Sequence, residues 1–256
     1  MNNSVLTGVL IPFFGTALGA SFVLFMKKGF NFFIADFLSA VAGGIMTAAS
    51  VWSLIIPATE NSSYLGRFAF VPCCIGIVGG CIFMSGLGKI ADLLSSMGFG
   101  KMARYKKINT IFAVTLHNIP EGMAVGCVYA SAMLTGSDSL FASALVLSLG
   151  IAVQNIPEGA VISMPLYAQG KTKRKAFIIG VLSGIVEPLG AMTALLMAEI
   201  VGALLPYFLS FAAGTMLFVV TQEIIPEIKY EGRFPVRGIG FILGFLIMMS
   251  LDVALS

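Results

Sequence analysis

The chain has 256 residues, of which 58% are hydrophobic and 11% charged, with a formal net charge of +3. An ordinary soluble domain carries roughly 25% charged residues, and a mean hydropathy of +0.98 is more apolar surface than a soluble protein of this size can hide. A water-soluble globular enzyme, a disordered chain and a disulfide scaffold are thereby excluded. A polytopic helical membrane protein remains. The four cysteines, Cys73, Cys74, Cys81 and Cys127, form no C-x-x-C pair, lie in apolar stretches and read as buried small residues. The modest charge gives no reason to expect a nucleic-acid partner.

Each span needs about 20 mostly apolar residues. Segments 1–26, 37–59 and 68–88 carry no charge and predict helices 1, 2 and 3. The first of them lacks the basic start of a cleavable signal peptide, and none is expected. Segment 108–134 is apolar except for His117 and Glu121, and segment 140–168 except for Glu158; these predict helices 4 and 5. Segment 176–198 contains only Glu187 and predicts helix 6. Segment 201–222 is uncharged and predicts helix 7, running on past Glu223; helix 8 starts near Val236 and ends near Ala254. The spans fall at about 4–26, 37–58, 68–94, 108–134, 140–168, 175–199, 202–226 and 236–255, a single transmembrane domain over 1–256 with no room for a soluble one.

Orientation follows from the basic residues. With the N-terminus outside, the inner loops hold Lys27, Lys28, Lys89, Lys101, Arg104, Lys106, Lys107, Lys171, Lys173, Arg174, Lys175, Lys229, Arg233 and Arg237, which is 14 of the 15 basic residues. Only Arg67 is left outside. The positive-inside bias therefore puts both termini outside. The fold class is an all-α polytopic membrane protein with eight transmembrane helices.

An ionisable group deep in a bilayer costs at least about 2.5–3.5 kcal/mol on insertion scales and usually marks a pathway or a site. His117, the chain's only histidine, lies ten residues beyond Lys107, with Glu121 one turn further on. Glu158 lies thirteen residues before Lys171, and Glu187 twelve residues after Lys175. At ~1.5 Å per residue each sits ~15–20 Å from its cytosolic end. Three helices of mixed direction thus bring acids to one depth, which predicts a shared site.

A six-residue pattern occurs twice: His117-Asn118-Ile119-Pro120-Glu121-Gly122 in helix 4 and Gln154-Asn155-Ile156-Pro157-Glu158-Gly159 in helix 5, at an offset of 37 residues. The two helices run in opposite directions, so the repeat is inverted, with helices 4 and 5 at its centre. His117 and Glu121 are four residues apart and share a helix face, as do Gln154 and Glu158. Asn118 and Asn155 lie on the adjoining edge. Each proline lacks an N–H, frees the carbonyl of Leu116 or Val153, and predicts a kink. Each glycine admits a neighbouring helix. Carboxylates with one imidazole and carboxamides suit a divalent cation of borderline character, Zn²⁺, Fe²⁺ or Mn²⁺ better than Ca²⁺ or Cu⁺. The bland alternative is that the asparagines and Gln154 only join helices by hydrogen bonds. Helix 6 couples acid, proline and glycine again in Gly184-Ile185-Val186-Glu187-Pro188-Leu189-Gly190, and helix 7 closes on Gln222-Glu223-Ile224-Ile225-Pro226-Glu227. Glu223, six residues before Lys229, reads equally as an exit-path ligand or an interfacial cap.

These four motifs, with Gly43-Gly44-Ile45-Met46-Thr47-Ala48-Ala49-Ser50 in helix 2, resemble the ZIP (Zrt/Irt-like) family of divalent metal transporters, and Gln154 in place of histidine resembles its GufA-like branch. The resemblance covers nearly the whole chain. It implies a binuclear site between helices 2, 4, 5 and 6, with His117, Gln154 and Met46 at one metal position, Asn118, Asn155 and Glu187 at the other, and Glu121 and Glu158 bridging. It also implies a homodimer. Asn155 stands where some relatives have Asp, and the loop before helix 4 is basic rather than His-rich, a sequence suited to anionic lipid. Ser53, seven residues past Met46, is a candidate along the route.

The resulting expectation is a permease, not an enzyme, that takes Zn²⁺ (with Fe²⁺, Mn²⁺ or Cd²⁺ as alternatives) into the cytosol by alternating access, in a plasma or bacterial cytoplasmic membrane. The resemblance suggests helices 1, 4, 5 and 6 moving against 2, 3, 7 and 8. Two rivals use the same residues. An intramembrane metal hydrolase would need an H-E-x-x-H or several imidazoles, which a single histidine cannot supply. A proton-coupled carrier of an organic solute would use the buried acids as a relay.

Overall fold

The computed structural model describes residues 3–26, 32–96, 106–227 and 235–255. Within them all regular structure is helical. Eight long rods run through the molecule. They are α1 (Asn3–Phe25), α2 (Phe32–Ala49, continuing through Ser50–Ile55 into Ile56–Glu60), α3 (Phe70–Ser96) and α4 (Lys106–Thr135). Then come α5 (Asp138–Ala168), α6 (two halves, Lys173–Ser183 and Val186–Leu196), α7 (Leu205–Val219, continuing through Val220–Ile224 into Ile225–Glu227) and α8 (Val236–Leu255). Short helical turns at Ser63–Phe68 and Ala198–Ala203 join neighbours. Among the described residues seven helices are both long and apolar enough to cross a membrane. The remaining rod, α4, is long enough at 30 residues and carries part of the polar site in its middle.

Local chemistry sets the ends of the central hairpin. Gly136, at φ 63°, supplies the left-handed turn after α4. Ser137 then caps α5, its hydroxyl accepting from the Leu140 N–H at 3.3 Å. Two residues thus suffice to reverse the chain, so α4 and α5 run antiparallel. Both helices pass unbroken through Pro120 and Pro157; the break falls instead in α6. Pro188 has no N–H to offer the Gly184 carbonyl, and the Glu187 N–H takes it at 3.1 Å. The tighter turn at 184–185 divides the helix and starts its second half one residue before Glu187. Two wide turns were not foreseen. In α2 the Ile56 N–H bonds to the Val51 carbonyl, and in α7 the Ile225 N–H bonds to the Val220 carbonyl, each a π-type bond just before the proline of an Ile-Ile-Pro triplet.

Glycines reveal how the rods are grouped. A methyl at Gly15 or Gly19 of α1 would lie 2.3 or 1.9 Å from a backbone oxygen of α5. One at Gly122 or Gly126 of α4 would lie 2.0 or 2.4 Å from a backbone oxygen of α6. The same backbone-to-backbone fit joins α2 to α8 at Gly44 and Gly244, and α3 to α7 at Gly80 and Gly214. Such seams hold only where a Cβ is missing. They fall within two sets, α1/α4/α5/α6 and α2/α3/α7/α8. Between the sets, the glycine contact is Gly150 of α5 against the flexible tip of Met248 of α8. The buried boundary is otherwise filled by side chains such as Met46, Leu147, Ile151, Ala213 and Met216.

Outward faces are apolar, as lipid requires: Ile75 and Ile82 of α3, Leu189 of α6 and Ile242 of α8 are all exposed. The cysteines divide accordingly. Cys73 and Cys127 are buried as expected, whereas Cys74 is exposed and Cys81 is half-buried, its thiol 3.6 Å from the Gly214 carbonyl of α7. A lipid-facing position accepts a small apolar residue as readily as a core does. All four are free thiols.

Candidate metal-binding site

Six of the residues singled out from the sequence are buried in the α1/α4/α5/α6 set. Asn118, Glu121, Gln154, Asn155 and Glu187 have no exposed surface and Glu158 has 8%. Hydrogen bonds link five of them across helices. Gln154 Nε2 donates to Glu121 Oε1 at 2.7 Å, joining α5 to α4. Asn118 Nδ2 donates to Glu187 Oε1 at 3.0 Å, joining α4 to α6, and also lies 3.5 Å from the Ser183 carbonyl. Asn155 Nδ2 donates to the Pro12 carbonyl of α1 at 3.4 Å. Glu158 lies near enough to Glu121 and Glu187 for their carboxylates to influence one another.

The orientation of each carboxamide follows from its partner. Carboxylate and carbonyl oxygens can only accept, so the nitrogens face them and the amide oxygens face away. The remainder is seven buried oxygens without a hydrogen-bond partner: Asn118 Oδ1, Glu121 Oε2, Gln154 Oε1, Asn155 Oδ1, both oxygens of Glu158, and Glu187 Oε2. Among the described residues these are all the buried side-chain nitrogens and oxygens so left, and none is a nitrogen. Buried polar groups are ordinarily satisfied. An orphaned set made only of lone pairs has the chemistry of a cation site.

Among the described residues no three His, Cys, Asp or Glu side chains close into a tight chelate. The His117 side chain lies outside the described residues, as does that of Glu223. Met46 of α2 is fully buried in the apolar core, in the cluster that also holds Ala124, Val125 and Ile151. Ser53 donates a hydrogen bond to Asp252 of α8. Both line a cavity of about 300 Å³ with Trp52, Glu60 and Asn61, where α2, α5, α7 and α8 meet.

One participant was missed by sequence reasoning. Thr16 of α1 is fully buried, and its hydroxyl donates to Glu187 Oε1 at 2.7 Å. With the Pro12 carbonyl it makes α1 a fourth wall of the site, where only helices 2, 4, 5 and 6 were expected. The available signal was the small-residue run Gly15-Thr16 with Gly19, in the middle of an otherwise apolar helix.

Comparison with known proteins shows the family. The family model described as "ZIP Zinc transporter" matches residues 99–252. Zinc transporter ZIP11 of Xenopus tropicalis is 32% identical, over 98% of this chain and 97% of that protein. Zinc transporter GufA of Myxococcus xanthus is 34% identical, over 80% of this chain and 81% of that protein, in keeping with a GufA-like branch. Zinc transporter ZIPB of Bordetella bronchiseptica is 32% identical, over 95% of this chain and 79% of that protein. The chain belongs to the ZIP zinc transporter family, integral membrane proteins that carry divalent metal ions and are not enzymes.

Proposed function

We propose that this protein takes Zn²⁺ into the cytosol by alternating access, through a midplane site whose ligands are Asn118, Glu121, Gln154, Asn155, Glu158 and Glu187, completed by His117 and Met46. The observation that carries this reading is the set of seven partnerless buried oxygens on α4, α5 and α6. At about 1–3 kcal/mol for each unsatisfied polar group, they cost on the order of 10 kcal/mol, comparable to the whole net stability of a typical domain. A dehydrated dication offsets that cost, and the acids in turn replace its water. Glu158, with both oxygens free, and Glu121, with one, are the residues suited to bridge two metal positions. Fe²⁺, Mn²⁺ and Cd²⁺ fit the same donor set less selectively.

The grouping of the helices supports the moving parts. The α1/α4/α5/α6 set is locked by backbone seams and holds all six donors. In the α2/α3/α7/α8 set such seams join α2 to α8 and α3 to α7, and this set meets the first through side chains that can slide. Ions enter by the cavity beside Ser53, Glu60 and Asp252. Both termini lie outside on this reading. Lys173, at the start of α6, donates to the Leu24 carbonyl at the end of α1 at 2.9 Å. That contact supports a common cytosolic face for these ends and their basic residues.

Uptake of ⁶⁵Zn²⁺ by vesicles containing the full chain tests the proposal. Glu121→Ala and Glu158→Ala should each weaken saturable uptake, raising its half-saturating Zn²⁺ concentration. Undiminished uptake in both variants would defeat it.

A further inference from the structure

We infer that Thr16 sets the metal preference of the site by forcing Glu187 to bind its cargo through one oxygen only. The inference deepens the reading above and rests on Glu187 being a ligand. A carboxylate oxygen offers two lone-pair sites. At Glu187 Oε1 both are taken, one by the Thr16 hydroxyl at 2.7 Å and one by Asn118 Nδ2 at 3.0 Å. Oε2, which has no partner, is the oxygen left to face a cation. The carboxylate is therefore monodentate while both donors stay in place.

Thr16 is built to stay. A methyl at Gly159 of α5 would lie 2.2 Å from the Thr16 carbonyl oxygen, and one at Gly184 of α6 would lie 2.8–3.0 Å from the Thr16 side chain. The residue is thus wedged between the repeated motif of α5 and the broken turn of α6. That turn exists because Pro188 leaves the Gly184 carbonyl to the Glu187 N–H, so one local feature seats Thr16 and starts the half-helix that carries its partner. Thr16 touches no cargo atom on this account; it is a positioning residue.

Denticity discriminates between ions. Zn²⁺ favours four ligands in a tetrahedron, which single carboxylate oxygens satisfy. Mn²⁺ favours six oxygen-rich ligands, and a second oxygen from the same carboxylate helps to complete them. Releasing Oε1 should shift preference from Zn²⁺ toward Mn²⁺.

The test is competitive uptake of ⁵⁴Mn²⁺ and ⁶⁵Zn²⁺ by vesicles containing the full chain. Thr16→Val keeps the shape and removes the hydroxyl; Thr16→Ser keeps the hydroxyl. Thr16→Val should raise the Mn:Zn ratio about tenfold, within the range for removal of a ligand-orienting group, and Thr16→Ser should restore the parental ratio. Thr16→Ala repeats the measurement should valine not be accommodated. An unchanged ratio in the hydroxyl-free variants, an equal loss of both ions, or a serine variant that behaves as they do would overturn the inference. Glu187→Gln separates the two levels of the argument. If it leaves uptake of both ions intact, the ligand reading of Glu187 fails. If it abolishes uptake while the hydroxyl-free variants keep the parental ratio, only the role given to Thr16 fails.

Discussion

Glu121 and Glu158 occupy the same place in two copies of one hexapeptide, yet the protein holds their carboxylates differently. Glu121 has no exposed surface, and Gln154 anchors one of its oxygens. Glu158 keeps 8% exposure, and neither oxygen has a partner. The neighbours diverge too. Asn118 donates to Glu187 of α6 at 3.0 Å, whereas Asn155, which also acts on Glu187, donates to the backbone of α1 at 3.4 Å. Even the closing glycines differ in partner, Gly122 against the Glu187 backbone and Gly159 against that of Thr16. An inverted repeat supplies matching donors, but the helices packed around each copy decide which oxygens remain free. On this account α4 carries the anchored acid and α5 the open one.

The sharpest way to break this contrast is to remove the open acid. Glu158→Ala should lower the apparent Zn²⁺ affinity in uptake more than about 100-fold, above the range typical for loss of a group that only orients a ligand, and more than Glu121→Ala does. The reverse order would remove the asymmetry. Next come the glycine seams. Gly122→Val and Gly159→Val each drive a side chain into neighbouring backbone and should cost about 3 kcal/mol or more, read as a lower melting temperature of purified protein in detergent. A melting temperature held in either would show that its seam is looser than described. A smaller effect is expected from Gln154→Leu, which frees the second oxygen of Glu121 and makes the two acids more alike; Zn²⁺ affinity should fall about tenfold. The smallest is Asn155→Ala, which loses a long 3.4 Å hydrogen bond and one orphaned oxygen, and should change uptake KM only a few-fold, with stability held within about 1 kcal/mol.

Much of this was legible because a charge in an apolar run has few bland explanations. Glu121, Glu158 and Glu187 stand out against their helices, and the duplicated hexapeptide ties two of them together. The all-helical architecture followed from the same contrast. Thr16 was not legible, and the reason is physical. A hydroxyl in a membrane helix usually bonds back to the carbonyl one turn earlier, as Thr47, Ser50 and Thr59 all do here. Sequence cannot tell which threonine instead reaches across to another helix; that depends on a neighbour thin enough to admit it, and Gly159 and Gly184 come from helices far away in the chain. The three prolines also differ in effect for a physical reason. The helices stay continuous across Pro120 and Pro157, where one missing N–H is absorbed within a long packed helix, while Gly184, one turn before Pro188, lets the chain take a tighter turn.

The central claim is that the partnerless oxygens of α4, α5 and α6 gather around a dication. Anomalous diffraction at the zinc edge, from crystals of the full chain grown with Zn²⁺, measures this directly. The account predicts a peak enclosed by Glu121, Glu158 and Glu187, within bonding distance of Glu187 Oε2 and at least one oxygen of Glu158. Zinc bound only elsewhere, with those three carboxylates facing separate cavities, would contradict it.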